Sequence, residues 1–144
     1  MNNKDVIEKL LKKGLKVTPQ RIAVMEAIES LKNHPTAEKI TEFIKIHHPN
    51  IATGTVYKVL DAFVENKLAA KIKTDKDVMR YEPYSDVHHH LYCAESDRIE
   101  DYEDEELNIL LKEYFKKKKL RNFRISDIRL QLNGNFTNNN SLKN

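Results

Sequence analysis

The sequence predicts an α+β chain in two parts: short helices closed by a strand hairpin over residues 1–84, then a smaller mixed unit over 85–132, followed by a polar tail over 133–144. Three observations predict this. Four successive segments repeat apolar residues at helical spacing, each bounded by a threonine, glycine or proline signal. Two strand-like segments then flank the charged turn Asp75-Lys76-Asp77. The charge also changes character: residues 1–84 carry 15 basic and 11 acidic side chains, net +4, and residues 85–144 carry 10 and 11, net −1.

The first helix is expected from Ile7, Leu10 and Leu11 and stops at Gly14. Thr18-Pro19 opens the second, with a capping hydroxyl and a proline where a missing N–H costs nothing; its stripe is Ile22, Met25 and Ile28. Thr36 caps a third helix with Ile40, Phe43 and Ile44 inside, ending near His47-His48-Pro49. Thr53 is expected to cap a fourth, in which Val56, Val59, Leu60 and Phe63 are buried and Thr53, Thr55, Tyr57, Lys58 and Asp61 stay outside. Strands at 69–74 and 78–83 complete the order of a winged helix-turn-helix.

Beyond residue 84, 88–93 and 98–102 read as strands. Leu107, Leu110, Leu111, Tyr114 and Phe115 mark an amphipathic helix, and Ile128, Leu130 and Leu132 a last strand. Lys116 to Lys119 meet the favourable end of that helix's dipole. About 60 residues bury too little surface to be secure alone, so dimerisation through this half is expected. The asparagine-rich tail is expected to be disordered.

At 144 residues the chain accommodates one domain or two small ones, which excludes a large two-lobed enzyme. Its 40% apolar and 33% charged residues exclude global disorder. The lone Cys93 excludes an internal disulfide and a four-thiolate zinc site, and it points to a reducing compartment. No stretch approaches the ~18 to 20 apolar residues that span a bilayer. A cytoplasmic protein without a membrane partner is therefore expected.

The cluster with most chemistry is His88-His89-His90-Leu91-Tyr92-Cys93. On a strand His88 and His90 share a face and His89 points away. Glu82 upstream, Asp101 on the next strand and His34 before the third helix extend the set to three imidazoles and two carboxylates, which suits Fe²⁺ or Mn²⁺. Adjacent histidines are also common on protein surfaces, and a lone cysteine is commonly a small core hydrophobe. Spacing alone leaves those readings open. At the start of the fourth helix, hydroxyls and a lysine suit contact with phosphates and base edges.

These residues together resemble the ferric uptake regulator (Fur) family of metal-dependent repressors. The matches are G-L-K-V-T-P-Q-R at 14–21, H-P-T-A at 34–37, A-T-G-T-V-Y-K-V-L at 52–60, R-Y-E at 80–82 and H-H-H-L-Y-C at 88–93. The resemblance implies a homodimer that binds a pseudo-palindromic operator in double-stranded DNA. It implies a regulatory metal at His34, Glu82, His88, His90 and Asp101, DNA contacts from Tyr57 and Lys58 on a recognition helix over 53–66, and a phosphate contact from Arg21. Many members also hold a structural zinc with two C-x-x-C pairs. Here Cys93 and Ser96 stand for the first, and Phe136 and Asn139 fall near the second, so no structural zinc is expected. A further family metal site is also not expected, because Asn108 and Ile128 stand where it needs a carboxylate and a histidine.

Asp101 resembles peroxide-stress regulators, in which iron and hydrogen peroxide oxidise a liganding histidine, here His34 or His88. Glu82 and Lys58 resemble iron-responsive members. The peroxide-sensing reading is favoured, with the iron-responsive regulator as its alternative. No enzyme is expected: a mononuclear iron enzyme is disfavoured by the lack of substrate-binding loops and of an acid or base beyond the ligands, and a third class is a winged-helix DNA binder that needs no metal.

Overall fold

A computed structural model describes residues 3–32, 34–74, 76, 78–86 and 89–138. The chain divides into two compact units, with the boundary between Ser85 and Asp86. The first unit contains α1 (Asn3–Lys12), α2 (Pro19–Ser30), α3 (Ala37–His47), α4 (Thr53–Glu65), β1 (Ala69–Lys73) and β2 (Met79–Pro83). The second contains β3 (His89–Cys93), β4 (Arg98–Tyr102), α5 (Glu105–Lys118) and β5 (Gln131–Asn133).

The helix ends of the first unit follow local chemistry. Gly14 takes φ +71°, and the amides of Gly14 and Leu15 return to the carbonyls of Leu11 and Leu10, each at 3.0 Å. That paired closure satisfies carbonyls the helix itself cannot. Thr18 Oγ1 accepts from Arg21 N at 3.2 Å, and Thr36 Oγ1 from Lys39 N at 3.1 Å. The expected cap at Thr53 is displaced by one residue. Ala52 is the N-cap, without a side-chain bond, and its carbonyl accepts from Thr55 and Val56. Thr53 is thereby the first helical residue, with its side chain exposed.

Val56, Leu60 and Phe63 of α4 are completely buried, against Val24, Met25 and Ile28 of α2 and Ile40 and Ile44 of α3 in one apolar cluster. Two expected inner faces shift. In α1 the buried pair is Val6 and Leu10, while Leu11 is 62% exposed. Stripes one residue apart differ by only ~100° around a helix, and both were apolar. In α3, Phe43 is only partly buried and Thr41 takes the inner position, donating to Ala37 O at 2.8 Å. The hairpin pairs Ala69 with Pro83 through Lys73 with Met79.

In the second unit β3 lies between β4, antiparallel, and β5, parallel. The last strand is shorter than expected: only residues 131–133 form it, paired with residues 90–92 of β3. Ile128 precedes it. Leu107, Leu111 and Phe115 of α5 are half-buried, but Ile109, Leu110 and Tyr114 are 54, 60 and 51% exposed, and no residue of this helix is fully buried. Residues 133–138, expected to be disordered, carry on from β5: Gly134 N donates to Tyr92 O at 3.0 Å. The remainder of the expected tail lies outside the described residues.

Replacing Phe63 by alanine removes a whole buried ring and is expected to cost about 3–5 kcal/mol in urea unfolding. Leu11→Ala, on a largely exposed side chain, should cost about 0.5 kcal/mol or less.

Candidate metal centre and nucleic-acid interface

The approach to His34 is set by β2. Tyr81 N donates to Pro35 O at 2.8 Å, Thr36 bridges to Arg80, and the buried Arg80 guanidinium donates to His34 O. These contacts run residues 34–36 along the strand, and His34 takes φ +59° to make the turn. Left-handed backbone is uncommon outside glycine, so the position is held by its surroundings. Arg80 and Glu82 are two apart on β2 and share a face. Glu82 thus reaches the ring it needs: His34 Nε2 lies 2.6 Å from Glu82 Oε2, with each side chain 11% exposed.

The second unit builds a matching pair. His90 and Asp101 are direct cross-strand partners, and His90 Nε2 lies 3.2 Å from Asp101 Oδ1. His90 N donates to Leu130 O at 3.0 Å, which ties this position to the chain entering β5. His89 turns the other way and is buried. Its Nδ1 accepts from Leu130 N at 3.1 Å, so Nε2 carries the proton and donates to Asn108 Oδ1 at 2.6 Å. With both nitrogens engaged, His89 fastens α5 to the sheet. His88 lies outside the described residues.

Among the described residues, ligand-capable side chains thus stand as two imidazole–carboxylate pairs, one in each unit. The donor set of nitrogen and hard oxygen suits Fe²⁺ or Mn²⁺. Neighbouring ligand atoms on an octahedral ion with bonds of ~2.1 Å lie ~3 Å apart, and the 2.6 and 3.2 Å separations are of that size.

Just past Asp101, Asp104 caps α5. Its carboxylate accepts from Tyr102 Oη at 2.6 Å and from Leu107 N at 2.9 Å. The Tyr102 hydrogen bond, then the Leu107 amide, hold the Asp104 carboxyl below its ordinary value; the same bond and the negative charge raise the Tyr102 phenol. Cys93 is buried, and a hydrogen bond from the Ser96 side chain lowers its thiol.

On α4 the outer side presents Thr53, Tyr57 and Lys58 to solvent, with Thr55 half-buried. Burial, then the nearby Asp61 and Tyr57 of α4, raise the Tyr81 phenol of β2; α4 itself packs on β1 of the wing. Arg21 is half-buried and donates to Lys16 O at 2.7 Å through one guanidinium nitrogen. Sequence reasoning missed the structural parts of Arg80, Arg98 and Asn108. The signal for Arg80 was present, since alternation along R-Y-E places it on Glu82's face.

A helical unit whose fourth helix leaves a polar edge beside a two-strand wing is a winged helix-turn-helix, the architecture of DNA-binding regulators. The chain belongs to the ferric uptake regulator family, whose model matches residues 12–133. It is 30% identical over 99 residues to the peroxide operon regulator of Bacillus subtilis, spanning 69% of this chain and 68% of that protein. It is 28% identical over 102 residues to the peroxide-responsive repressor PerR of Staphylococcus aureus, spanning 71% and 69%. The fold matches the ferric uptake regulator of Pseudomonas aeruginosa with manganese (TM-score 0.78, 24% identity, 92% of this chain and 98% of that one). It also matches the Campylobacter jejuni peroxide stress regulator (TM-score 0.71, 23% identity, 96% and 99%). No helix among the described residues is long and apolar enough to cross a membrane.

Because the Asp104 carboxyl is lowered on folding, it adds stability above the ordinary carboxylate value of 3.8 that fades as pH falls below it. Thermal melts from pH 6 downward should show this loss in the parent and a shallower acid dependence in Asp104→Asn.

Proposed function

We propose that this chain is a homodimeric, metal-dependent DNA-binding repressor that senses peroxide in the cytoplasm. Its first part, residues 1–84, reads DNA; its second, 85–132, dimerises and senses. The carrying observation is the presence of two imidazole–carboxylate pairs, His34–Glu82 at 2.6 Å and His90–Asp101 at 3.2 Å. We assign His34, Glu82, His88, His90 and Asp101 as ligands of one Fe²⁺ or Mn²⁺. Bound Fe²⁺ supplies one-electron chemistry toward hydrogen peroxide. We expect no structural zinc beside it, since the sequence offers Cys93 as its one thiol. The relatives named as peroxide regulators support the peroxide reading.

The ligands come from both parts of the chain, so holding them together fixes the angle of the DNA-reading part. Thr53, Thr55, Tyr57 and Lys58 on α4 meet the major groove and Arg21 meets a phosphate. In a dimer, one angle spaces the two recognition helices for the half-sites of a pseudo-palindromic operator. The closed form is selected because only it offers the full ligand set. Ile109, Leu110 and Tyr114 on α5 supply apolar surface for the second copy. Oxidation of His34 or His88 removes a ligand and releases the DNA.

The test loads the protein with Fe²⁺ or with Mn²⁺, adds hydrogen peroxide, and follows histidine mass and binding to duplexes selected from a random pool. One added oxygen atom on His34 or His88 with iron alone, with loss of binding, is the expected result. Metal-dependent binding without oxidation identifies the iron-responsive regulator, chelator-indifferent binding a metal-independent one, and turnover of a small substrate an enzyme. His90→Ala is expected to weaken ion binding by at least about tenfold and to abolish the metal dependence of DNA binding; titration of the variant with Mn²⁺ and a gel-shift check both.

A further inference from the structure

Many members of the family hold a structural zinc with four cysteines, and the corresponding places here are Cys93, Ser96, Phe136 and Asn139. One thiol, a hydroxyl and a phenyl ring do not make a zinc site, which needs four thiolate or imidazole ligands. Asn139 lies outside the described residues. The other three line one cavity with Asn135 and Asn138, and the polar contacts beside it converge on Arg98.

Arg98 stands directly opposite Cys93 in the β3–β4 ladder. Its side chain is only 5% exposed. A buried guanidinium is costly unless its charge and donors are met, and here they are. Nε donates to Glu100 Oε2 at 2.9 Å, and Nη2 donates to the same carboxylate. Nη1 donates to Asn138 Oδ1 at 3.1 Å, and the guanidinium carbon lies 4.0 Å from the centroid of the Phe136 ring. Two of these partners, Phe136 and Asn138, belong to the segment after β5. Cys93 Sγ meets Asn135 Oδ1 of the same segment at 3.5 Å, and Gly134 N extends the β3–β5 ladder to Tyr92 O.

We propose that Arg98 replaces the structural zinc: its guanidinium clamps residues 134–138 to the β3–β4 hairpin, so the second unit keeps its third strand without a metal. The planar fork is essential to the device. It stacks on Phe136 while donating along its edge to Glu100 and Asn138, which a lysine ammonium cannot do. Glu100 keeps the guanidinium aimed and neutralised. Unlike thiolates, which must lose protons to bind metal and are released by chelators or oxidants, this clamp has no ligand to strip.

The test uses the full chain in a His90→Ala background, so that the histidine–carboxylate ligands do not retain zinc. Protein grown with added zinc is assayed for metal by mass spectrometry, then for thermal unfolding with and without a strong chelator, and for proteolytic cleavage within residues 131–138. The expected result is no stoichiometric zinc, a melting temperature indifferent to chelator, and cleavage about tenfold faster in Arg98→Ala. Arg98→Lys should not rescue, and Cys93→Ser should cleave at the parent rate. Should Arg98→Ala fail to fold, Phe136→Leu carries the same readout, because it removes only the stacked ring. One zinc per chain that Cys93→Ser releases, or parental cleavage rates in both Arg98→Ala and Phe136→Leu, would overturn the proposal.

Discussion

The first unit depends on residues 34–36 being held against β2. The Tyr81 amide takes the Pro35 carbonyl, and the Arg80 guanidinium takes that of His34. A bond of this second kind, with a charged donor, contributes about 1.5–3 kcal/mol, against about 1 for a neutral one, which is enough to hold His34 in a left-handed conformation that costs about 1–3 kcal/mol. The same strand presents Glu82 to the ring it has just positioned. One short segment therefore joins the third helix to the wing and builds the His34–Glu82 imidazole–carboxylate pair. A change at Arg80 would be felt at His34 although Arg80 itself carries no ligand atom.

The second unit is organised differently. Among the described residues its sheet has three short strands, and α5 buries no side chain completely. Order comes from polar side chains that cross between elements: His89 to Asn108 and Leu130, Arg98 to Asn138, and Asp104 to Tyr102 and the first turn of α5. Satisfied networks of this kind specify one arrangement where a small apolar core leaves several open. They also explain how a unit this small can leave Ile109, Leu110 and Tyr114 facing outward.

The parts legible in the sequence were those governed by neighbouring residues. Thr18, Thr36 and Gly14 act through backbone groups a few residues away, so the ends of α1, α2 and α3 could be read directly. The buried stripe of α4 was legible because only one of its faces is apolar. In α1, two adjacent stripes were both apolar, and the choice rests on what α2 offers. The His90–Asp101 pair followed from strand alternation and pairing, and the structure places the two residues opposite each other. By contrast, Arg80 reaching a carbonyl 46 residues away and Arg98 reaching Asn138 40 residues away have no local signature. The polar composition of the segment after β5 predicts disorder, yet its Asn138 and Asn135 serve as partners to Arg98 and Cys93.

The parallel pairing of β3 with β5 bears on the order in which the molecule assembles. The His89–Leu130 contact spans 41 residues, whereas the helices and hairpin of the first unit close over short loops. Closing a long loop before any reward is gained is slow, and domains emerge from the ribosome one after another. The first unit can therefore be compact while β3 and β4 are still a bare hairpin. The edge of β3 stays unpaired until residues 131–133 have been synthesised, and such an edge invites pairing with another chain. Arrival of that three-residue strand covers β3 at residues 90–92 and replaces its long open edge with the much shorter one of β5, so the step that completes the second unit also shrinks the edge it exposes.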